Sequence, residues 1–245
     1  MRRILSKEAR KGFTLVELLV VISIMAMLFA LIVPTVRSAL SSAKRAKIKT
    51  EVDLIHQTFM LYRTEHGSFP PCIGSTLSGT DRPVKHLRRL FPRCTNPVSQ
   101  FVDALGNQIT VSPGNALAFW LSGYTGDPER PLQPPSNRMT TFDFDKIRVN
   151  DSTGAYVDTK GMPYLYFDSA SYATIDGQQN TSGIGPAEFY IPREMVNGQP
   201  GDFLEKGRFI ILSAGLDGEY YTKDDVANVP KEYIGPWLLH RMQQR

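Results

Sequence analysis

The feature that most constrains this chain is an apolar run from Phe13 to Val33, 21 residues in which Glu17 is the only charged side chain. At about 1.5 Å rise per residue, a helix of that length reaches roughly 30 Å, about the thickness of a bilayer's hydrocarbon core. A carboxylate in that setting costs about 2.5 kcal/mol or more unless it finds a partner. Glu17 therefore marks a use rather than a packing position. The eleven residues before Gly12 hold Arg2, Arg3, Lys7, Arg10 and Lys11 against a single acid, Glu8. A basic leader ahead of an apolar segment places the leader in the cytoplasm and exports the remainder. Arg37, Lys44, Arg45, Lys47 and Lys49 crowd the far side, so charge counting by itself favours this orientation only weakly. An ordinary secretory signal has a shorter apolar core followed by a small-residue cleavage site. Here Ile32-Val33-Pro34-Thr35-Val36 runs on into more helix, and the small residue, Gly12, lies before the run.

Gly12-Phe13-Thr14-Leu15-Val16-Glu17 at the head of such a segment resembles the class III signal of type IV pilins and type II secretion pseudopilins. The resemblance implies cleavage between Gly12 and Phe13 by a prepilin peptidase and methylation of the new Phe13 terminus. It places Glu17 and Pro34 at the family's assembly positions. A terminal ammonium at Phe13 would neutralise Glu17 at low cost, from the same helix or from an adjacent subunit. The second choice ties neutralisation to assembly. Pro34 removes one helical N–H and is expected to kink or loosen the helix.

Loss of the leader also changes the charge. The chain carries 28 basic and 24 acidic residues; without the leader's five and one, the remainder balances at 23 and 23. A nucleic-acid partner therefore has little support from charge.

Past the apolar run, Ile48, Val52, Ile55, Phe59 and Tyr62 recur every three or four residues, one face of an amphipathic helix. Gly67 is placed to end it, and Pro70 and Pro71 prevent its resumption. The basic residues from Arg37 to Lys49 read as a solvated juxtamembrane face, or as a surface for anionic headgroups or acidic patches of neighbouring subunits. The organisation expected is a leader at 1–12, a transmembrane helix and filament core at 13–36, its amphipathic continuation at 37–66, and a globular domain at 67–245. The Gly-, Pro-, Ser- and Asn-rich composition after residue 67 favours strands and long loops. Candidate strands are Gly114–Leu121 (with a helix as the alternative), Met139–Val149, Tyr164–Asp168, Glu188–Ile191 and Arg208–Ala214. Asp103–Gly106 and Asp158–Gly161 look alike as turns. The fold class is α+β: a long N-terminal helix packed on a C-terminal antiparallel sheet, as in type IV pilins.

Two further stretches carry the resemblance. Asp158-Thr-Lys-Gly161-Met-Pro163-Tyr164-Leu-Tyr166 is similar to a turn of the major (G-type) pseudopilins, although Thr159-Lys160 replaces the family's Pro-Trp. Ser213-Ala-Gly215-Leu-Asp217-Gly218, followed by Asp224-Asp225, is similar to their calcium loop, with Val226 in place of the usual Ile. Closely spaced aspartates in a Gly-containing loop suit a hard cation with many oxygen ligands, yet the spacing is not that of an EF-hand. The resemblance assigns Ca²⁺ to the carboxylates of Asp217 and Asp225 and the carbonyl of Ala214, with Asp224 and Ser213 as further ligands. A solvated acidic turn is the alternative. Cys72 and Cys94 would lie in an oxidising periplasm, where pairing would contribute about 3 kcal/mol; two buried thiols are the alternative.

No G-x-S-x-G, H-E-x-x-H or P-loop is present, and the four histidines are scattered, so the reading is not enzymatic. The resemblance implies a structural subunit of a type II secretion pseudopilus, anchored in the bacterial inner membrane with its C-terminal domain in the periplasm. Its partners would be further copies of itself, other pseudopilins, the prepilin peptidase and methyltransferase, and an inner-membrane platform driven by a cytoplasmic ATPase. The alternative is a minor pseudopilin or an adhesive or DNA-uptake pilin-like surface protein.

Overall fold

The computed structural model describes residues 13–73, 79–102, 107–139, 147–150, 152–197 and 199–229. The leader with Gly12, the Asp103–Gly106 turn and most of the 139–149 candidate strand lie outside the described residues. The chain divides into two compact units, Met1–Ala43 and Lys44–Arg245, and one helix, α1 (Leu15–His66), belongs to both.

In the first unit α1 is apolar and exposed on every side. Its start is fixed by a reciprocal capping box. The N–H and hydroxyl of Thr14 donate to Glu17 Oε2 at 2.9 and 2.8 Å, and the Glu17 N–H donates to Thr14 Oγ1 at 3.2 Å. The hydroxyls of Ser23 and Thr35 fold back onto the carbonyls of Val20 and Ile32, at 2.8 and 2.7 Å, so neither presents an unpaired donor. The helix continues through Pro34 without a break in its assignment.

The second unit has one core. Along α1 the expected stripe is buried: Ile48, Val52, Ile55, Phe59 and Tyr62 are all at most 1 % exposed. Lys47–Glu51 and Lys49–Asp53 ion pairs brace the neighbouring face at 3.7 and 3.0 Å. The helix stops at Gly67, whose φ of +76° needs no Cβ and whose N–H donates to the Arg63 carbonyl at 2.7 Å.

Two short helices follow, α2 (Arg82–Leu90) and α3 (Ala116–Leu121). The remaining elements are β1 (Arg148–Val149), β2 (Tyr156–Val157), β3 (Leu165–Asp168), α4 (Tyr172–Ile175), β4 (Gln178–Gln179), β5 (Glu188–Phe189), β6 (Arg193–Val196), β7 (Gln199–Phe203), β8 (Phe209–Ser213) and β9 (Val226–Ala227). All pairings among the described residues are antiparallel. The central sheet runs β3-β8-β9, and β1-β2, β4-β5 and β6-β7 are separate two-stranded ribbons. In the central pair Leu165 faces Leu212 and Asp168 faces Phe209.

This sheet packs on α1 through aromatic rings. Phe59 stacks on Tyr166 at 4.5 Å and leans on Phe209 at 5.3 Å. Tyrosine and tryptophan polar ends find partners at the core's edge: Tyr164 donates to Glu51, Tyr166 to the Pro70 carbonyl, and Trp120 Nε1 to the Pro71 carbonyl. The Pro70-Pro71 pair after α1 is thereby an acceptor shelf for the core, besides ending the helix.

Two of the sequence expectations change. Residues 116–121 are helical, because Leu117, Phe119, Trp120 and Leu121 all bury and no period-two face is available to a strand. The expected strand at 139–149 reduces, among described residues, to β1 and a bridge from Met139 to Tyr124.

Candidate functional site

Two regions carry the residues singled out by the sequence. The first is the head of α1. Phe13 is 81 % exposed, and Glu17 lies one turn into the helix beside Thr14. Both Thr14 bonds end on Oε2, so Oε1 has no partner within the described chain. Sequence reasoning treated Glu17 as a lone charge and missed that Thr14-x-x-Glu17 is also a capping box.

The second region is the loop from Ser213 to Asp225, held between β8 and β9. It is tied to the 158–163 turn by buried groups. Asp158 is 1 % exposed; its Oδ1 accepts the N–H groups of Lys160 and Met162, and its Oδ2 accepts the Ser213 hydroxyl at 2.9 Å. The Tyr220 hydroxyl also donates to the Pro163 carbonyl. The two stretches that looked family-like in sequence are therefore one structural unit, with Asp158 as the link that sequence reasoning did not name.

Each aspartate of the loop has a different setting. Asp217 is exposed, and its Oδ1 accepts the Glu219 N–H at 2.9 Å. Asp224 Oδ2 accepts the N–H groups of Leu216 and Asp217 at 2.6 and 3.1 Å, and Thr222 donates its hydroxyl to Oδ1. Burial works against its charge, but hydrogen bonds from Thr222, Asp217 and Leu216 outweigh it and hold the carboxyl at about 2. Asp225 is 1 % exposed and accepts the N–H groups of Tyr221 and Thr222. Burial dominates there, and the carboxyl is pushed up to about 7 despite those bonds. Helix α1 brings one cation to the loop and another to β9 just after it. Arg45 Nη2 donates to the Asp224 carbonyl at 3.4 Å and lies 4.0 Å from its carboxylate, while Lys49 donates to the Ala227 carbonyl at 3.3 Å.

The chemistry of this donor set suits Ca²⁺, and buried Asp225 has no cationic partner among the described residues. The arrangement is not a preformed site. Among the described residues no three Asp, Glu, His or Cys side chains come together as metal ligands. Asp224 and Asp225 instead close the loop on its own amides, so ion binding would require those bonds to be exchanged.

The two cysteines do not form the disulfide expected from the sequence. Both are buried free thiols. Cys72 is built into a different knot: its N–H donates to Asp168 Oδ2 at 2.9 Å, and its Sγ accepts the Asp168 N–H at 3.4 Å. Arg82 and Ser171 complete that knot around Asp168. Burial raises both thiols above their ordinary value, which keeps them protonated and unreactive.

Of the histidines, His56 meets Asn228 and the Phe209 ring, His66 packs edge-on to Tyr62, and His86 bonds the Tyr62 hydroxyl through Nε2 at 2.8 Å. His66 and His86 thus flank the same Tyr62, whereas His56 packs elsewhere in the core. His240 lies outside the described residues.

Residues 8–33 match the model of the prokaryotic N-terminal methylation motif. The chain is also similar to the type II secretion system core protein G of Klebsiella michiganensis, 30 % identical over 64 residues, 26 % of this chain and 45 % of that protein. It thus spans under half the length of the curated relative it matches. No solved structure matches. With an apolar helix bearing the methylation motif and an antiparallel sheet packed on its continuation, the chain is similar to the type IV pilins and pseudopilins, the G-type among them.

Proposed function

We propose that this chain is a structural subunit of a type II secretion pseudopilus. A prepilin peptidase removes residues 1–12, Phe13 is methylated, and the subunit polymerises through α1 to drive protein export. The observation that carries the reading is the pairing of the methylation motif with a fully exposed apolar helix in which Glu17 is the only charge up to Val33. Such a helix must be covered by lipid or by other helices. Before assembly the subunit sits in the inner membrane with its C-terminal unit in the periplasm. Its partners are further copies, other pseudopilins, the peptidase and the ATPase-driven platform. Its role is mechanical rather than enzymatic.

Glu17 pairs with the Phe13 ammonium of a neighbour and registers subunits in the filament. The test is co-expression with a prepilin peptidase. Mass spectrometry should find a terminus at methylated Phe13, and Glu17→Gln should leave cleavage intact while abolishing the sheared filament fraction. Normal filaments from Glu17→Gln would refute the pairing, and an uncleaved chain would refute the processing.

Calcium at the 213–225 loop is a separate proposal, supported by the carboxylate-rich donor set and buried Asp225. Ca²⁺ should raise the melting temperature of the C-terminal unit by several degrees, and Asp217→Ala should remove the rise. An identical melt in calcium and in chelator would reject it.

A further inference from the structure

A cleft of about 410 Å³ opens beside the C-terminal end of α1, lined by Ser68, Arg82, Lys85, Arg89, Asp168 and Arg208 among others. Its single lining carboxylate, Asp168, is already enclosed: Arg82 pairs with it at 2.6 Å, and the Cys72 N–H and Ser171 hydroxyl bond its second oxygen. Arg208 lies 3.7 Å from Glu205. Lys85 and Arg89 are exposed, and no carboxylate lies within ion-pair reach of either among the described residues.

Arg89 is held in place by neutral groups. Its guanidinium bonds the Ser68 hydroxyl and lies 3.3 Å from His86 Nδ1. A guanidinium can only donate, so Nδ1 accepts and the proton of the neutral ring sits on Nε2, which donates to the Tyr62 hydroxyl. Tyr62 in turn bonds Tyr124. The cleft thus presents a guanidinium fixed by a buried neutral chain, beside an exposed ammonium. That is the chemistry of a carboxylate receptor.

The matching carboxylates lie at the other end of the same helix segment. Asp217 and Glu219 are exposed, and neither has a cationic partner among the described residues. Of the loop's other charges, Asp224 faces Arg45, Asp225 is buried and Lys223 is exposed. The loop meets Arg45 and the strand just after it meets Lys49, whereas the cleft is built around Tyr62 to Ser68. Thirteen to seventeen residues of helix separate those anchor points, about 20–25 Å along the axis. A receptor at one end and its ligand at the other cannot satisfy each other within one copy. They can do so between copies stacked head to tail, the heterologous arrangement that gives open filaments.

We propose that the Lys85–Arg89 cleft of one copy receives the Glu219-bearing loop of the next copy along the filament. This rests on the self-assembly reading above. Glu219 is outside the proposed calcium ligands, so the contact does not depend on that ion.

The test uses full-length chains in membranes, with Lys85→Cys on one copy and Glu219→Cys on another, co-expressed and oxidised. A cross-linked dimer should appear only when both variants are present. In chains without the introduced cysteines, Lys85→Glu should reduce filament yield at least tenfold, and adding Glu219→Lys should restore it. Filaments that form without the mixed cross-link would overturn this contact and leave the assembly reading intact. Absence of filaments from the unmodified chain would instead remove the assembly reading. Saturable binding of inorganic phosphate or of anionic phosphatidylglycerol vesicles that is lost in Lys85→Glu, with no cross-link, would assign the cleft to another occupant and also overturn the proposal.

Discussion

His86 allows the most quantitative prediction. Its ring is buried against Tyr62 and Trp120, and its pKa is pushed from 6.5 down to about 3, by burial first and then by the Arg89 guanidinium. The charged neighbours that bear on it are Arg89, Arg82 and Asp168, with His66 nearby. Because the folded value lies below the unfolded one, the unfolded chain binds the extra proton between them. Stability contributed by the neutral ring is complete above about pH 6.5 and is lost as pH falls toward 3. At 1.36 kcal/mol per pH unit the whole interval is worth about 5 kcal/mol, of which about 2 kcal/mol is lost between pH 6.5 and 5. His86→Gln keeps an acceptor for Arg89 and a donor for Tyr62 but cannot titrate. Urea unfolding of the segment from Lys44 onward, whose buried residues all lie within it, should be run for both proteins from pH 7.5 to 5. The difference between them should fall by about 2 kcal/mol in the wild type's disfavour as the pH drops. Asp225, titrating in the opposite sense, cancels in this subtraction. A parallel pair of curves would refute the buried neutral imidazole.

Other substitutions read the packing directly. Phe59→Ala should destabilise the C-terminal unit by about 3–5 kcal/mol, since the ring is fully buried between Tyr166 and Phe209; chemical denaturation measures it. Gly215→Ala would press a Cβ into the Asp224 carbonyl oxygen at a φ of +67°, and should cost more than about 2 kcal/mol. Gly67→Ala shares the positive φ but meets open space, so it should cost only about 1 kcal/mol in the same assay. Thr14→Ala should weaken the start of α1 by about 1 kcal/mol, seen as faster amide exchange over the first turn in micelles.

The helix was legible because its two signals are strong and local: an uninterrupted apolar run, then a three-and-four-residue stripe ended by Gly67. β3 and β8 were legible as short apolar segments bounded by turns. Helix α2 was missed although Val84 and Leu87 are spaced for one buried face and Pro83 suits a helix start; four basic side chains in nine residues masked the pattern. The β6-β7 ribbon was also missed, since Arg193, Glu194, Gln199 and Asp202 give it no apolar alternation. At the loop, sequence supplied the aspartates but not their orientation. Whether a carboxylate faces an ion or its own amides depends on backbone turns such as those at Gly215, Gly218 and Tyr221, which local composition does not specify. The linking roles of Asp158 and Asp168 were not legible for a related reason: each acts through partners far away in sequence, Ser213 and Cys72.

The cap at the head of α1 leaves Glu17 with one oxygen engaged and one available. A neighbour's ammonium can approach Oε1 while Oε2 keeps both Thr14 bonds. In the assembly proposed above, docking of a new subunit would add a charge pair without first dismantling the turn that presents it. The terminal turn would already have its final shape, so recruitment would not wait for that turn to refold.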